Sequence, residues 1–252
     1  MLLQTLVGTW PAAPEADYAA RVKEWQEKAV REAKLHSSWA KPNEEYEGRL
    51  SRLIDDIVTG AKFEAVREAV AAFLARIGTA ARVNGLLQPF LRCACPGVPD
   101  LYQGAELADL SLVDPDNRRP VDYSRRAKLL AERGDEKQAL VRDMLALRRD
   151  HAAAFQGSCR PLSVAHDPDG RIIAFARGEG DHELLFAARR LAANGQEDDW
   201  WGAAAVGGSR LRELVTRGKS LLGAELPLAV FRSSELPERP SSACTPTPEM
   251  IR

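Results

Sequence analysis

The sequence predicts an α/β fold class, with a mostly helical first part that contains one short apolar strand, followed by a small antiparallel β domain. Before residue 150, apolar residues recur every three or four positions, which indicates amphipathic helices. After His151, short apolar runs are separated by Asp-Pro-Asp-Gly and Gly-Glu-Gly-Asp, which are typical of hairpin turns. We therefore expect domains at residues 1–150 and 151–232, and a mobile tail at residues 233–252, where prolines are frequent.

Helical spacing and helix-breaking residues define the elements of the first part. Asp17 is positioned to cap the first amphipathic stretch, Pro42 interrupts the pattern, and Gly60 separates two further apolar stripes. The expected helices span residues 17–35, 44–58, 63–77, 79–91, 123–132 and 136–150.

A short buried strand is expected at Val98–Gln103, because Pro96, Gly97 and Pro99 disfavour a helix there. The strand opens into a loop rich in carboxylates, with one amide and two guanidinium groups, which suits the binding of sugar hydroxyls. Beyond residue 150, strands are expected within residues 161–165, 171–176, 183–188, 200–206 and 226–231.

The balance of charged residues argues against strongly charged partners. Thirty-five basic and thirty-six acidic residues give a formal charge of −1, so neither nucleic acid nor a membrane surface is expected as a partner. The N-terminus lacks the basic segment of a signal peptide, and the sequence pattern indicates no membrane span. The four cysteines lack the spacing of a metal site, and so do His151, His166 and His182, so a cytoplasmic protein with free thiols and no metal is expected.

The polar loop resembles a known family. Its sequence Asp109-Leu-Ser-Leu-Val-Asp-Pro-Asp-Asn-Arg-Arg-Pro120, preceded by Pro96-Gly-Val-Pro-Asp-Leu-Tyr-Gln-Gly-Ala-Glu106, resembles the end of the catalytic barrel of the maltooligosyltrehalose synthase family, within the alpha-amylase superfamily. Gln4-Thr-Leu-Val-Gly-Thr-Trp-Pro11 and Arg31-Glu-Ala-Lys-Leu-His-Ser-Ser-Trp39 also resemble that family, in the same order. The resemblance covers residues 2 to about 232.

The resemblance implies the C-terminal portion of a (β/α)8 barrel with helical insertions, followed by a small antiparallel β-sandwich domain. The 98–103 strand would be the eighth of the barrel, and the loop after it would face the substrate, because barrel active sites lie at the C-terminal ends of the strands. The implied reaction converts the reducing-end α-1,4 linkage of a maltooligosaccharide into an α,α-1,1 (trehalose) linkage by intramolecular transglucosylation. It requires no cofactor.

The chain is expected to contain no catalytic residue. A retaining mechanism needs two carboxyl groups about 5 to 5.5 Å apart across the scissile bond. The family's motifs for these groups, and for a third carboxylate, do not occur in the sequence. The resemblance therefore implies a C-terminal part that is inactive alone, and an N-terminal fragment of the same enzyme is the expected protein partner.

Nine residues are candidates for contact with maltooligosaccharide. Arg118 is the first choice, because a charged donor to a hydroxyl contributes about 1.5 to 3 kcal/mol; the alternative is that Arg118 and Arg119 pin the loop to Asp114 and Asp116. For Asp114 and Asp116 the turn chemistry of Asp-Pro-Asp-Asn favours a turn or an orienting role over sugar contact, and Asn117 also suits a turn. The candidates are Tyr102, Gln103, Glu106, Asp114, Asn117, Arg118, Arg119, His36 and Trp39.

Several alternatives stay open. Gln103 and Glu106 could instead make buried hydrogen bonds, and Trp39 could lie in a helix-to-helix turn with its ring in the core, which the usual burial of tryptophan favours over a sugar platform. Trp200 and Trp201 suit either a glucan-binding surface or a partly buried pair. For the whole chain, the alternatives are an inactive glucan-binding remnant and a fragment of another alpha-amylase-type hydrolase or transglycosylase.

Overall fold

The computed structural model describes residues 1–11, 17–112, 118–192, 204–206, 209–211 and 227–235. The chain forms two compact units, each built from two separate segments. The first contains residues 1–81 and 101–138, and the second contains residues 82–100 and 139–252. The expected domain boundary near residue 150 remains a prediction about the organisation of the chain.

Helices form the first unit. They are α1 (Leu2–Thr9), α2 (Tyr18–Ala33), α3 (Glu44–Thr59), the first part of α4 (Glu64–Ala94), α5 (Tyr123–Glu132) and the start of α6 (Glu136–Asp150). A hydrophobic cluster holds α1, α2 and α3 together and includes Leu6, Val22, Ile54 and Leu112. The last of these residues belongs to the polar loop, so the loop is part of this core.

Local capping explains where two of these helices begin. The side chain of Asn43 accepts a hydrogen bond from the Tyr46 amide at 3.1 Å, and that of Asp122 accepts one from the Arg125 amide at 2.8 Å. Helices α3, α5 and α6 match the sequence-based prediction. Asp17 precedes α2 as expected, but its side chain makes no capping hydrogen bond.

The prediction of two helices at residues 63–77 and 79–91 is wrong, because α4 continues from Glu64 to Ala94. A glycine inside a helix costs only about 1 kcal/mol relative to alanine, so Gly78 does not end it. Among the described residues, this helix with its preceding turn is long and apolar enough to cross a membrane. Of its most apolar stretch of 18 residues, 22% is buried inside the protein. Length and composition alone are weak grounds for a membrane span, since core helices of other proteins share them.

The predicted strand at Val98–Gln103 is also wrong. This segment has no regular structure, and Val98 is 93% exposed. Pro96 and Pro99 have no amide hydrogen to donate to a ladder, and Gly97 adopts φ +107°. In the described part of the chain no strand pairs with this segment, so its backbone groups lack the ladder of hydrogen bonds that a sheet provides.

Antiparallel sheets dominate the second unit, as the hairpin pattern predicted. The strands are β1 (Cys159–Pro161), β2 (Val164–Ala165), β3 (Ile172–Arg177), β4 (Leu184–Arg189), β5 (Ala205–Val206), β6 (Ser209–Arg210) and β7 (Leu228–Arg232). One sheet has the order β1-β3-β4-β7 and the other β2-β5-β6. In the β3–β4 hairpin Phe175 lies opposite Phe186, with their rings stacked at 5.1 Å.

Both faces of the four-stranded sheet are buried. Phe186 and Val230 on one face pack against Phe90 of α4 and Met144 of α6. Alternate residues, such as Leu185 and Phe231, pack on the other face with residues of the smaller sheet. The resulting run of apolar residues in β4 is what a strand covered on both sides requires.

Several sequence-based expectations concern residues outside the described ranges. They include the Trp200–Trp201 pair, Cys244 and the tail beyond residue 235. Of the other thiols, Cys93 is buried, whereas Cys95 and Cys159 are exposed, and all three are free.

Candidate functional site

The polar loop, taken here as residues 102–120, lies in the first unit. Three cationic side chains donate hydrogen bonds to its main-chain carbonyl groups. Arg21 of α2 donates to the Leu110 oxygen at 3.0 Å, and Lys137 of α6 donates to the Leu107 oxygen at 3.0 Å. Arg126 of α5 donates to the Gly104 oxygen at 2.9 Å. Because these cations come from three different helices and bind main-chain oxygens, they restrain the path of the loop at three points.

Arg126 also pairs with one of the candidate residues. Its Nε atom lies 2.6 Å from Glu106 Oε1, and both side chains are largely shielded from solvent. This contact is mainly Coulombic, since the buried Nε–H makes no well-directed hydrogen bond. Gly104, at φ +85°, allows the approach, because a Cβ atom there would lie 3.0 Å from Arg126 Nη2.

Asp109 begins the most charged part of the loop. Its carboxylate accepts hydrogen bonds from the amide and hydroxyl groups of Ser111. Partial burial would raise the pKa of Asp109, but the Ser111 hydrogen bonds and the charges of Lys137 and Arg119 together lower it. Burial lowers the pKa of Lys137 in turn, against the raising effect of nearby carboxylates.

The candidate side chains of this loop differ in exposure. Tyr102 is 55% exposed, and Gln103, Arg118 and Arg119 are also exposed. Arg119 Nη1 reaches Asp17 Oδ2 at 3.5 Å, a long and solvent-accessible ion pair. Each of these side chains is therefore accessible to a ligand. Candidates Asp114 and Asn117, and Asp116 beside them, lie outside the described residues.

The second group of candidates lies in the turn between α2 and α3. Glu47 of α3 accepts two hydrogen bonds from Arg31, at 2.9 and 2.7 Å, and one from the Ser37 hydroxyl. Asn43 adds hydrogen bonds to Ser37 Oγ at 3.0 Å and to the His36 carbonyl at 3.2 Å. These contacts fix the shape of the turn.

The expectation that Trp39 lies in the core is wrong. The side chain is 56% exposed and packs against the Arg31 guanidinium, whose carbon lies 4.9 Å from the ring centroid. His36 is exposed and contacts the Tyr46 ring at 5.1 Å between centroids. Both rings are positioned by side chains on the flanking helices, which the sequence pattern gave no means of identifying.

The residues that anchor the loop were not foreseen from sequence. Arg21, Arg126 and Lys137 lie 89, 22 and 30 positions from the carbonyls they bind, and each belongs to an ordinary amphipathic helix. Among the described residues, no group of three or more metal-ligating side chains is found.

Solved structures that share the fold of this chain are enzymes of the alpha-amylase type. They are maltooligosyltrehalose synthases: the one from Arthrobacter ramosus matches with a TM-score of 0.73 and 30% identity over 91% of this chain and 31% of its own. A structure described as a hypothetical maltooligosyl trehalose synthase of Sulfolobus tokodaii matches with a TM-score of 0.60 and 29% identity, over 75% of this chain and 26% of its own.

Sequence comparison gives the same result. A protein of Mycobacterium tuberculosis (strain H37Rv) named as a maltooligosyl trehalose synthase is 35% identical over 202 residues, which cover 79% of this chain and 26% of that relative. No protein-family model matches the chain. The chain therefore resembles maltooligosyltrehalose synthases over most of its length, and it spans 26% to 31% of the length of these relatives.

Proposed function

We propose that this chain is the C-terminal part of a maltooligosyltrehalose synthase and contributes to converting the reducing-end α-1,4 linkage of a maltooligosaccharide into an α,α-1,1 linkage. The observation that carries the proposal is the structural likeness to the Arthrobacter ramosus synthase over 91% of the chain. The resemblance of the polar loop, which lies within a chain similar to three named synthases, supports it.

The anchored loop supplies substrate contacts in this proposal. Arg118 and Arg119 present charged donors to sugar hydroxyls, and the Tyr102 ring offers an apolar face to the CH groups of a glucose ring. Glu106 acts as a positioning residue, because its carboxylate is paired with Arg126. The loop thus binds and orients a neutral ligand.

Proton transfer and nucleophilic attack are assigned to another part of the enzyme. The motifs that hold those carboxyl groups in the family do not occur in the sequence, which supports this assignment. Loss of general acid–base catalysis alone lowers a rate by about 10²- to 10⁴-fold, and loss of the nucleophile removes the covalent route. The isolated chain is therefore expected to be inactive.

The test uses maltopentaose and measures the loss of reducing ends. The chain alone should show no turnover, whereas turnover should appear when it is combined with the part of the Arthrobacter ramosus synthase outside the matched region. Arg118→Ala should then lower kcat/KM by about 10- to 100-fold, the loss of one charged hydrogen bond. Arg125→Ala, on exposed α5, serves as the control. Turnover by the homogeneous chain alone, or no turnover in the combination, contradicts the proposal.

A glucan-binding remnant without chemistry is the second candidate. The exposure of both Trp39 and Tyr102 favours it, because aromatic rings at the surface suit the faces of glucose units. Titration calorimetry with maltoheptaose distinguishes the two. Micromolar binding by the chain, weakened by Trp39→Ala and never accompanied by product in the combined assay, would support this second function.

A further inference from the structure

An apolar stretch of α4 lies largely exposed in the first unit. The seven residues Ala69-Val-Ala-Ala-Phe-Leu-Ala75 contain no polar side chain, and they cover about two helical turns, so every face of the helix is apolar there. A helix that is apolar all round is normally buried. In this structure only Val70 is buried, whereas Phe73 is 40% exposed and the four alanines are exposed.

An apolar groove lies at the beginning of the same helix, within the same compact unit. Val66 of α4 and Phe63, in the turn just before α4, line it together with residues from the ends of α1 and α3. Leu3 and Leu53, which also line it, are 60% and 37% exposed. The first half of α4 and this groove therefore offer more exposed apolar surface than the isolated side chains that are normal on a protein.

Three features indicate that protein, and not lipid, covers this surface. The uncharged stretch is seven residues long, with Glu68 before it and Arg76 after it, whereas a hydrocarbon core needs about 20 residues. The second half of α4 already packs in a protein core through Leu86 and Phe90. The alanines have small side chains and Gly78 has none, which allows a second helix to approach closely.

The likeness to the solved synthases indicates which protein covers the surface of α4. The solved synthases contain more than twice as much additional polypeptide as the segment that matches this chain, since the match covers 31% of the Arthrobacter ramosus protein. We infer that residues 69–81 of α4, with the adjoining groove, form the surface on which the remaining part of a maltooligosyltrehalose synthase docks. This inference rests on the proposed function and names the binding surface for its partner.

The experiment mixes the full chain with the part of the Arthrobacter ramosus synthase outside the match and measures association by analytical ultracentrifugation. The matching part of the Arthrobacter ramosus enzyme itself provides the positive control. Phe73→Glu should weaken association at least 10-fold. Leu145→Glu, at a residue of α6 with a similar exposure of 43%, should leave it unchanged. Circular dichroism verifies that both variants are folded.

Hydrogen exchange gives an independent readout on the unmodified chain. Amides of residues 69–81 should become protected when the partner is added, whereas those of α5 serve as an internal comparison. Failure to associate, equal effects of the two variants, or unchanged exchange in α4 would overturn the inference.

Two alternative occupants have their own tests. Flotation with phosphatidylcholine and phosphatidylglycerol vesicles that is abolished by Phe73→Glu would identify a membrane surface and overturn the inference. Self-association of the chain that is abolished by the same change would identify a second copy, with the same consequence. Association through α4 without formation of a non-reducing product would sink the proposed function and leave the docking surface intact.

Discussion

Arg126 and Glu106 form the ion pair that joins helix α5 to the polar loop, with Nε and Oε1 2.6 Å apart. The same guanidinium donates to the Gly104 carbonyl at 2.9 Å. One side chain thus fixes the loop at two points on either side of Ala105, and this explains how a segment without regular structure keeps a defined path.

Replacement of Arg126 by alanine should destabilise the first unit. The change removes the ion pair and leaves the Gly104 carbonyl without its charged donor, so a loss of about 1 to 3 kcal/mol is expected. Urea unfolding followed by circular dichroism measures it. The neighbouring exposed residue gives a matched control, because Arg125→Ala removes the same side chain from the same helix; equal losses for both variants would contradict the role given to Arg126.

Gly104→Ala should also destabilise the loop. The residue has φ +85°, and a new Cβ would crowd Arg126 Nη2 and the Val121 side chain. Backbone strain and the displaced guanidinium together should cost about 1 to 3 kcal/mol. Gly97→Ala tests the strain alone, because that glycine has φ +107° but no atom within 4 Å of the Cβ position. A thermal unfolding series in which Gly97→Ala is the more harmful change would show that crowding at Arg126 is unimportant.

The turn between α2 and α3 should respond to acid through Glu47. Hydrogen bonds from Arg31 and then Ser37 lower the pKa of Glu47 below its usual value in the folded chain. A depressed pKa contributes stability above the unfolded value, and this contribution is lost as the pH falls through the folded value. Glu47→Gln should therefore reduce stability at pH 7, and the difference from the unmodified chain should shrink below about pH 4, near the ordinary glutamate pKa.

The control for this prediction is Glu45→Gln. Glu45 is 75% exposed and pairs with Arg49 on the surface of α3, so its replacement should change stability little at either pH. Unfolding curves collected between pH 3 and pH 7 give the comparison. A difference for Glu47→Gln that stays constant with pH would rule out a linked proton.

The buried arginine of strand β3 should be essential to the second unit. Arg177 is 1% exposed, donates to the Ala94 carbonyl at 2.7 Å and to the Phe155 carbonyl, and lies over the Phe155 ring at 5.5 Å. Arg177→Met keeps much of the volume but leaves two buried carbonyl oxygens unpaired, so a loss of about 3 kcal/mol or more is expected. Arg160→Met, at a partly exposed residue of β1, should cost much less; guanidinium chloride unfolding gives both values.

The sequence was informative where local signals decide the structure. Helices α5 and α6 match their predicted bounds because apolar spacing is a signal that acts within one or two turns. Strand positions in the β3–β4 hairpin followed from turn residues for the same reason. Local chemistry was enough at these positions.

Prediction failed where the outcome depends on distant residues. The segment 98–103 has the apolar character of a strand, but a strand needs neighbours to pair with, and no local pattern can supply them. The two helices expected at residues 63–77 and 79–91 form one helix, α4, because nothing between them is unfavourable enough to end it. The candidate site differs in the same way. Tyr102 and Arg118 could be named as candidates from the sequence of their loop, whereas Arg21 and Lys137 cannot be distinguished in sequence from other helical cations.

The three cations that secure the polar loop bind main-chain oxygens, and this has a consequence for variation. Exchanging Ala105, Ala108 or Leu110 for other residues would leave each carbonyl available to Arg21, Arg126 or Lys137. Side chains at these positions can therefore be varied while the main-chain anchors stay the same, so the loop can change its surface chemistry without losing its path.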